Sequence, residues 1–285
     1  MTVNCKGHLL DLSVPKVMGI LNITPDSFFD GGKYKSDLDF LNHTEKMLTE
    51  GAAIIDVGAY SSRPNAAFVS EEEEIKRLTP IVALLTKQFP EIILSIDTFR
   101  AEVAKVAIEH GAAIINDISA GLLDDRMLNV IAETKVPYIM MHMRGTPQTM
   151  ATLTEYDDIV KEMIFYFSER IAAARSLGIN DIIIDPGFGF AKTLEQNYEV
   201  LQKLELFQML DVPLLSAVSR KSMIYKLLDT SPMEALNGTT FLNTVSLMKG
   251  AKILRVHDVK EAEECIALYE KMKKPYYKSG ARFVL

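Results

Sequence analysis

The chain carries eight short apolar runs, each stopping at or just before a polar side chain. They are 17–21 (then Asn22), 54–58 (with Asp56 inside it), 92–96 (then Asp97), 114–115 (then Asn116 and Asp117), 138–141 (then His142), 182–184 (then Asp185), 214–218 (then Ser219, Arg220 and Lys221) and 253–256 (then His257). A parallel strand buried on both faces reads as a continuous Val/Ile/Leu run. Eight such strands close into a barrel, whose strand ends gather on one rim, and barrel enzymes keep their chemistry on that rim. The pattern therefore predicts a fold and a place to look for function.

Helix-like stretches separate the runs, at 37–50, 71–89, 100–110, 124–134, 155–177, 195–209, 222–229, 233–249 and 260–273. Leu38, Leu41 and Leu48 mark one buried face of the first of these. The acidic run Glu71–Glu74 reads as a solvated helix start that complements the helix dipole. Gly51-Ala-Ala-Ile-Ile-Asp56, Gly111-Ala-Ala-Ile-Ile-Asn116 and Gly250-Ala-Lys-Ile-Leu-Arg255 repeat one design, and Gly178 opens a similar step. A glycine ends a helix in the left-handed conformation, and the run behind it enters the sheet. Parallel neighbours require such crossovers. The expected fold is α/β, a single eight-stranded parallel (β/α)8 TIM barrel over 17–275. An extra segment, 1–16, would cap the far end as a small hairpin, and 276–285 would form a tail. An open doubly wound sheet is the competing architecture, but no G-x-G-x-x-G follows a strand here.

Composition narrows the function. With 285 residues the chain suits one barrel, and a net charge of −7 argues against nucleic-acid or anionic-membrane partners. No run approaches the roughly 20 apolar residues of a membrane span. The chain's cysteines, Cys5 and Cys265, form no metal or disulfide pattern, which fits a reducing cytoplasm.

The rim residues sort by chemistry. Arg63, Lys221, Arg255 and His257 fall at strand ends and suit an anionic, phosphate-like group, unless each pairs with a nearby carboxylate. Asp97, Asn116 and Asp185 follow apolar strands directly and suit a flat heterocycle with adjacent N–H donors. Asp97 with Thr98 could instead cap the next helix. Asp185 opens the glycine-rich Asp185-Pro-Gly-Phe-Gly-Phe190, which is not a helix start, so function leads there. Asp56 lies within its strand and reads equally well as a structural partner of the rim. Asn22 and Asp30 could hold Mg2+, which takes one or two protein oxygens plus phosphate oxygens. Their loop, with Phe28, Phe29 and Gly31-Gly32, reads as a lid with hinges or as an ordinary turn. His142 reads as a hydrogen-bonded core histidine, and Met141 and Met143 as packing.

These motifs in this order resemble dihydropteroate synthase of folate biosynthesis along nearly the whole chain. The carriers are VMGILNITPDSFFDGG at 17–32, IIDVGAYSSRP at 54–64, SIDT at 95–98, IIND at 114–117, MHMRGTP at 141–147, DPGFGF at 185–190, SRKS at 219–222 and RVHDV at 255–259. The resemblance implies a dimeric barrel that joins 4-aminobenzoate to 6-hydroxymethyl-7,8-dihydropterin diphosphate, releasing diphosphate. By motif position it implies that Asp97, Asn116, Asp185 and Lys221 hold the pterin. Arg63, Arg255 and His257, with Val256 between the last two, would take the diphosphate. Asn22, assisted by Asp30, would bind Mg2+, and Ser62, Pro64, Phe28, Phe190 and Ser219 would frame the aminobenzoate. It also implies a sulfonamide target.

The chain departs from the family pattern at Ala59-Tyr60, where Gly-Glu is commoner, at Ser62 in place of Thr, and at Ala217 in place of Gly. Three other readings are weaker. A corrinoid-dependent methyltransferase on a related barrel would not need Ser219-Arg220-Lys221 or Arg255-x-His257. A non-catalytic pterin-binding homologue would not need the lid and the clamp. A Schiff-base aldolase using Lys221 would be labelled by borohydride trapping.

Overall fold

The computed structural model describes residues 1–23, 37–60 and 69–273. It opens with two short strands, β1 (Thr2–Cys5) and β2 (His8–Asp11). The barrel strands follow: β3 (Lys16–Asn22), β4 (Ile54–Gly58), β5 (Leu94–Asp97), β6 (Ile114–Asp117), β7 (Tyr138–Met141), β8 (Ile182–Asp185), β9 (Leu215–Ser216) and β10 (Ile253–Val256). The intervening helices are α1 (Asp37–Thr49), α2 (Glu71–Gln88), α3 (Ala101–Glu109), α4 (Met127–Thr134), α5 (Ile159–Ser176), α6 (Leu194–Gln202), α7 (Ser222–Tyr225), α8 (Leu236–Met248) and α9 (Val259–Lys273).

The sheet order is β8-β7-β6-β5-β4-β3-β10-β9, every pairing parallel. A parallel bridge between Ile184 and Leu214 joins the two ends. The sheet is thus closed, and the open doubly wound alternative falls. Boundaries shift modestly from the sequence expectation. The run 92–96 enters the sheet only at Leu94 and continues to Asp97, and 214–218 contributes just Leu215–Ser216. The stretch 195–209 divides into α6 and a 3-10 turn at Leu204–Leu210. The repeated glycines behave as read: Gly51, Gly111 and Gly250 follow α1, α3 and α8 with φ of +112°, +112° and +101°.

Side-chain alternation divides each strand between two environments. Ile55, Val57, Leu94, Ile96, Ile115, Tyr138, Ile182, Ile184, Leu254 and Val256 belong to the core under the helices. Met18, Ile54, Ile114, Ile139, Ile183, Leu215 and Ile253 face inward and pack together, and Val3, Cys5, Leu10 and Leu12 of the β1-β2 hairpin join them. One inward step further along the strands come Asp56, Asn116, Asp185 and Arg255. The barrel therefore has an apolar floor closed by the hairpin and polar walls above it.

Within α2 the acidic run is not uniformly solvated. Ser70 caps the helix through its bond from Glu73 N at 3.2 Å. Glu74, however, is 1% exposed. It accepts from Thr98 Oγ1 at 2.8 Å and pairs with Arg100, buttressing the end of β5. Of the pair Asp97 and Thr98, only Thr98 meets the start of α3, its Oγ1 accepting from Arg100 N at 3.3 Å, while the Ala101 amide donates to Asp124 Oδ2 at 2.8 Å. Among the described residues no helix is long and apolar enough to cross a membrane.

Candidate active site

Arg255 organises the rim. Its Nε donates to Asp56 Oδ2 at 2.6 Å and its Nη2 to Asp97 Oδ2 at 2.8 Å. Asn116 Nδ2 donates to the same Asp56 oxygen at 3.1 Å. Asp56 thereby ties Asn116 to Arg255 and resolves as their structural partner, while Asp97 joins the group through Arg255. Burial works against the charge of Arg255, but Asp56 and Asp97 outweigh it and hold its pKa above the ordinary value. Burial raises Asp97 to about 7 despite Arg255, with Asp56 and Glu74 adding to the rise.

Across the mouth, Lys221 donates through Nζ to the Phe188 carbonyl and lies 5.1 Å from the centre of the Phe190 ring. Burial lowers its pKa to about 8, opposed by Asp185 and Asp97. Burial likewise raises Asp185, opposed by Lys221 and by the Gly187 amide, which donates to Asp185 Oδ1 at 2.8 Å. Ser219 Oγ accepts from His257 N and lies 3.1 Å from His257 Nδ1, joining the ends of β9 and β10. The mouth thus carries carboxylates and an amide on its inner wall, with lysine, arginine and histidine interleaved.

Gly187 permits the close approach of this loop to β7. Its φ is +68°, and a Cβ there would lie 2.3 Å from the His142 carbonyl. Gly187→Ala is expected to lower stability by about 1–3 kcal/mol through overpacking and to weaken binding at Asp185. Paired thermal melts and ligand titrations would check both effects.

Asn22 Oδ1, a hard oxygen donor, and Asp97 Oδ2, which already accepts from Arg255, both lie beside Gly58. A Cβ at Gly58 would lie 3.7 Å from Asn22 Oδ1 and 3.8 Å from Asp97 Oδ2. Among the described residues no group of three or more His, Cys, Asp or Glu side chains could hold a metal alone. An ion with few protein ligands and substrate oxygens, as Mg2+ prefers, is compatible with that donor set.

Some expectations need correction. Val256 is fully buried in the core beneath the helices, out of phase with Arg255 and His257, so its side chain does not line the mouth. Arg220 is no part of an anion clamp. Its guanidinium binds Asp258 bidentately at 2.8 Å and donates to the carbonyls of Pro232 and Met233. Phe28, Asp30, Ser62, Arg63 and Pro64 lie outside the described residues. Of the departures, Tyr60 packs edge-to-face on Phe99 at 5.3 Å and accepts from Gln148 Nε2 at 3.2 Å. Ala217 packs in the apolar floor.

A family model described as pterin binding enzyme matches residues 18–257. The chain belongs to the pterin-binding enzyme family. Within that family it sits with the dihydropteroate synthases. It is 46% identical to the Escherichia coli K12 dihydropteroate synthase over 272 residues, covering 95% of this chain and 96% of that one. The Yersinia pestis dihydropteroate synthase, solved with a sulfonamide drug, superposes with a TM-score of 0.92 at 41% identity, covering 96% and 99% of the two chains. The Xanthomonas albilineans dihydropteroate synthase, solved with 4-aminobenzoic acid, gives 0.89 at 36% identity over the same shares.

Proposed function

We propose that this chain condenses 6-hydroxymethyl-7,8-dihydropterin diphosphate with 4-aminobenzoate to give 7,8-dihydropteroate and diphosphate. The observation that carries the reading is the barrel mouth itself, where Asp185 and Lys221 face the Arg255-bridged pair Asp56 and Asp97. Asp97, Asn116 and Asp185 present acceptors and an amide that match the edge of a pterin. Arg255 and Arg63 would supply positive charge for the diphosphate, with His257 beside Arg255 as a further hydrogen-bonding group.

An arylamine is a weak nucleophile, so departure of the leaving group dominates the barrier. The C–O bond to diphosphate breaks early, and the electron-rich dihydropterin spreads the charge left on its methylene carbon. Asp97 and Asp185 hold the ring as it becomes cationic, and the cationic side chains stabilise the departing anion. Asn22, with Asp30, would hold Mg2+, which would draw charge from the diphosphate oxygens. The 22–32 loop would exclude water that could intercept the cation, and with Ser62, Pro64, Phe190 and Ser219 would frame the aminobenzoate. The same subsite would accept sulfonamides.

The enzyme is proposed to act as a homodimer in the cytoplasm. The outer faces of α8 and α9 support pairing: Phe241, Met248, Leu268 and Met272 are each more than 60% exposed, an apolar surface suited to a second copy. Both Cys5 and Cys265 are free and buried, as a reducing compartment allows.

The decisive assay incubates pure protein with the pterin diphosphate, Mg2+ and 4-aminobenzoate. Dihydropteroate should appear with one diphosphate per turnover; binding without product would reduce the chain to a pterin-binding module. A pH titration adds detail. Donors on the pterin favour the ionised carboxylate of Asp97, whose pKa of about 7 means that the charged form is lost as pH falls through that value. Affinity should therefore strengthen as pH rises through about 7, and Asp97→Asn should abolish that step. A wild-type profile flat across this range would refute the assignment.

A further inference from the structure

Behind the mouth lies a lysine that the reaction does not use. Lys192 is 9% exposed. Its Nζ lies 3.1 Å from His142 Nδ1, 3.0 Å from the Gly187 carbonyl and 3.0 Å from the Phe190 carbonyl. An ammonium has three N–H donors and no acceptor, and here each N–H meets one acceptor. That match requires a neutral His142 with its proton on Nε2. Burial, with the nearby cations Lys192 and Arg144, holds His142 well below its ordinary pKa, so the ring is neutral. The histidine is itself fixed, stacked edge-on against Tyr166 at 4.9 Å, while Tyr166 bonds the carbonyls of Met141 and Ser119.

The clasped segment is the one that places Lys221. Between the two carbonyls held by Lys192 lies Phe188, whose own carbonyl accepts from Lys221, and the segment ends at Phe190, whose ring lies under the Lys221 ammonium. A residue needed only for volume could be apolar; burial lowers the Lys192 pKa to about 7, so keeping an amine there works against the fold.

We infer that Lys192 is a positioning residue of the pterin site, seated between His142 and the carbonyls of Gly187 and Phe190 so that the Asp185–Phe190 loop presents Lys221 correctly. The inference rests on the proposed pterin-facing role of Lys221. It makes His142 the anchor of that clasp.

A double-mutant cycle tests it in the full-length protein. Calorimetry would measure binding of the pterin diphosphate, and separately of inorganic pyrophosphate, to wild type, Lys192→Met, Lys221→Ala and the double variant, with thermal melts alongside. Lys192→Met should weaken pterin diphosphate binding by about 10–100-fold alone but by less than about threefold when Lys221 is already alanine, the signature of residues acting as one unit. Pyrophosphate binding should be unchanged. Where Lys192→Met does not fold, His142→Leu removes one acceptor and should weaken pterin binding in the same way. His142→Asn, whose carboxamide oxygen can take the place of Nδ1, should restore it. Additive losses, equal loss of pyrophosphate, or wild-type affinity in His142→Leu would overturn the inference. Wild-type protein that fails to bind the pterin diphosphate would instead defeat the proposed function; intact wild-type binding with an unaffected Lys192→Met defeats this inference alone.

Discussion

Arg255→Ala is expected to lower stability by about 3–5 kcal/mol at neutral pH, the range for breaking a buried ion pair by removing one partner. The guanidinium bridges Asp56 and Asp97, and nothing else in the described structure can replace it. Among the described residues Asp56 Oδ1 has no hydrogen-bond partner, so within them the variant would leave a buried carboxylate held by Asn116. The pH dependence has a definite sign. The folded-state pKa of Asp97 is already above its unfolded value, and losing Arg255 raises it further. Between the two pKa values the folded variant binds more protons than the unfolded chain, so its stability recovers as pH falls through about 7 and below. Urea melts of wild type and variant across that interval provide the check, and Asp56→Asn in the same chain should return part of the loss. A deficit below about 1 kcal/mol with no pH dependence would contradict the bridging role. Binding should fail for pterin as well as for diphosphate, since Asp97 loses the group that orients it. The motif alone suggests a diphosphate ligand, whereas the structure gives Arg255 this second task.

Lys221→Ala separates chemistry from folding. The expected loss in kcat/KM is about 10²–10³-fold, as for removal of one preorganised electrostatic group, while the melting temperature moves by no more than a few degrees. The asymmetry follows from the lysine's surroundings. Burial holds its pKa down to about 8, so the fold gains little from keeping the ammonium. What the ammonium provides is a charge between Asp185 and Asp97, fixed by Phe188 and Phe190. Steady-state kinetics and thermal melts on the same preparations decide the matter. An enzyme with unchanged turnover would remove Lys221 from the site, and a collapsed melt would make its role structural.

How much of this was legible in the sequence depends on the distance over which each signal acts. Strand existence was readable from the apolar runs because burial on both faces leaves a local mark. The strand-end residues Asn116, Asp185 and Lys221 were readable for the same reason. Pairings between distant strands leave no such mark. The bond from Arg255 to Asp56 spans 199 positions, and Asp56 in isolation reads equally as core or rim. Glu74 was hidden inside an acidic run that looks uniformly solvated, and only the fold turns it towards Arg100. Arg220 sits between two residues of the mouth, yet its φ of +53° directs it to Asp258 instead. Val256 could have been set aside by counting strand alternation from Arg255. Lys192 gave no signal, because a lysine after a glycine-rich loop ordinarily reads as exposed.

The apolar floor closed by the N-terminal hairpin makes the barrel a blind-ended vessel. Everything that reacts must enter and leave by one opening. On the proposed function, a ring seated against Asn116 and Asp185 would lie nearer the closed end than anything entering after it, so the heterocycle would arrive first. On the proposed reaction the amine would come in over it, and the joined product would leave by the same opening. The order of events at this site is in that sense written into the end of the barrel farthest from the chemistry.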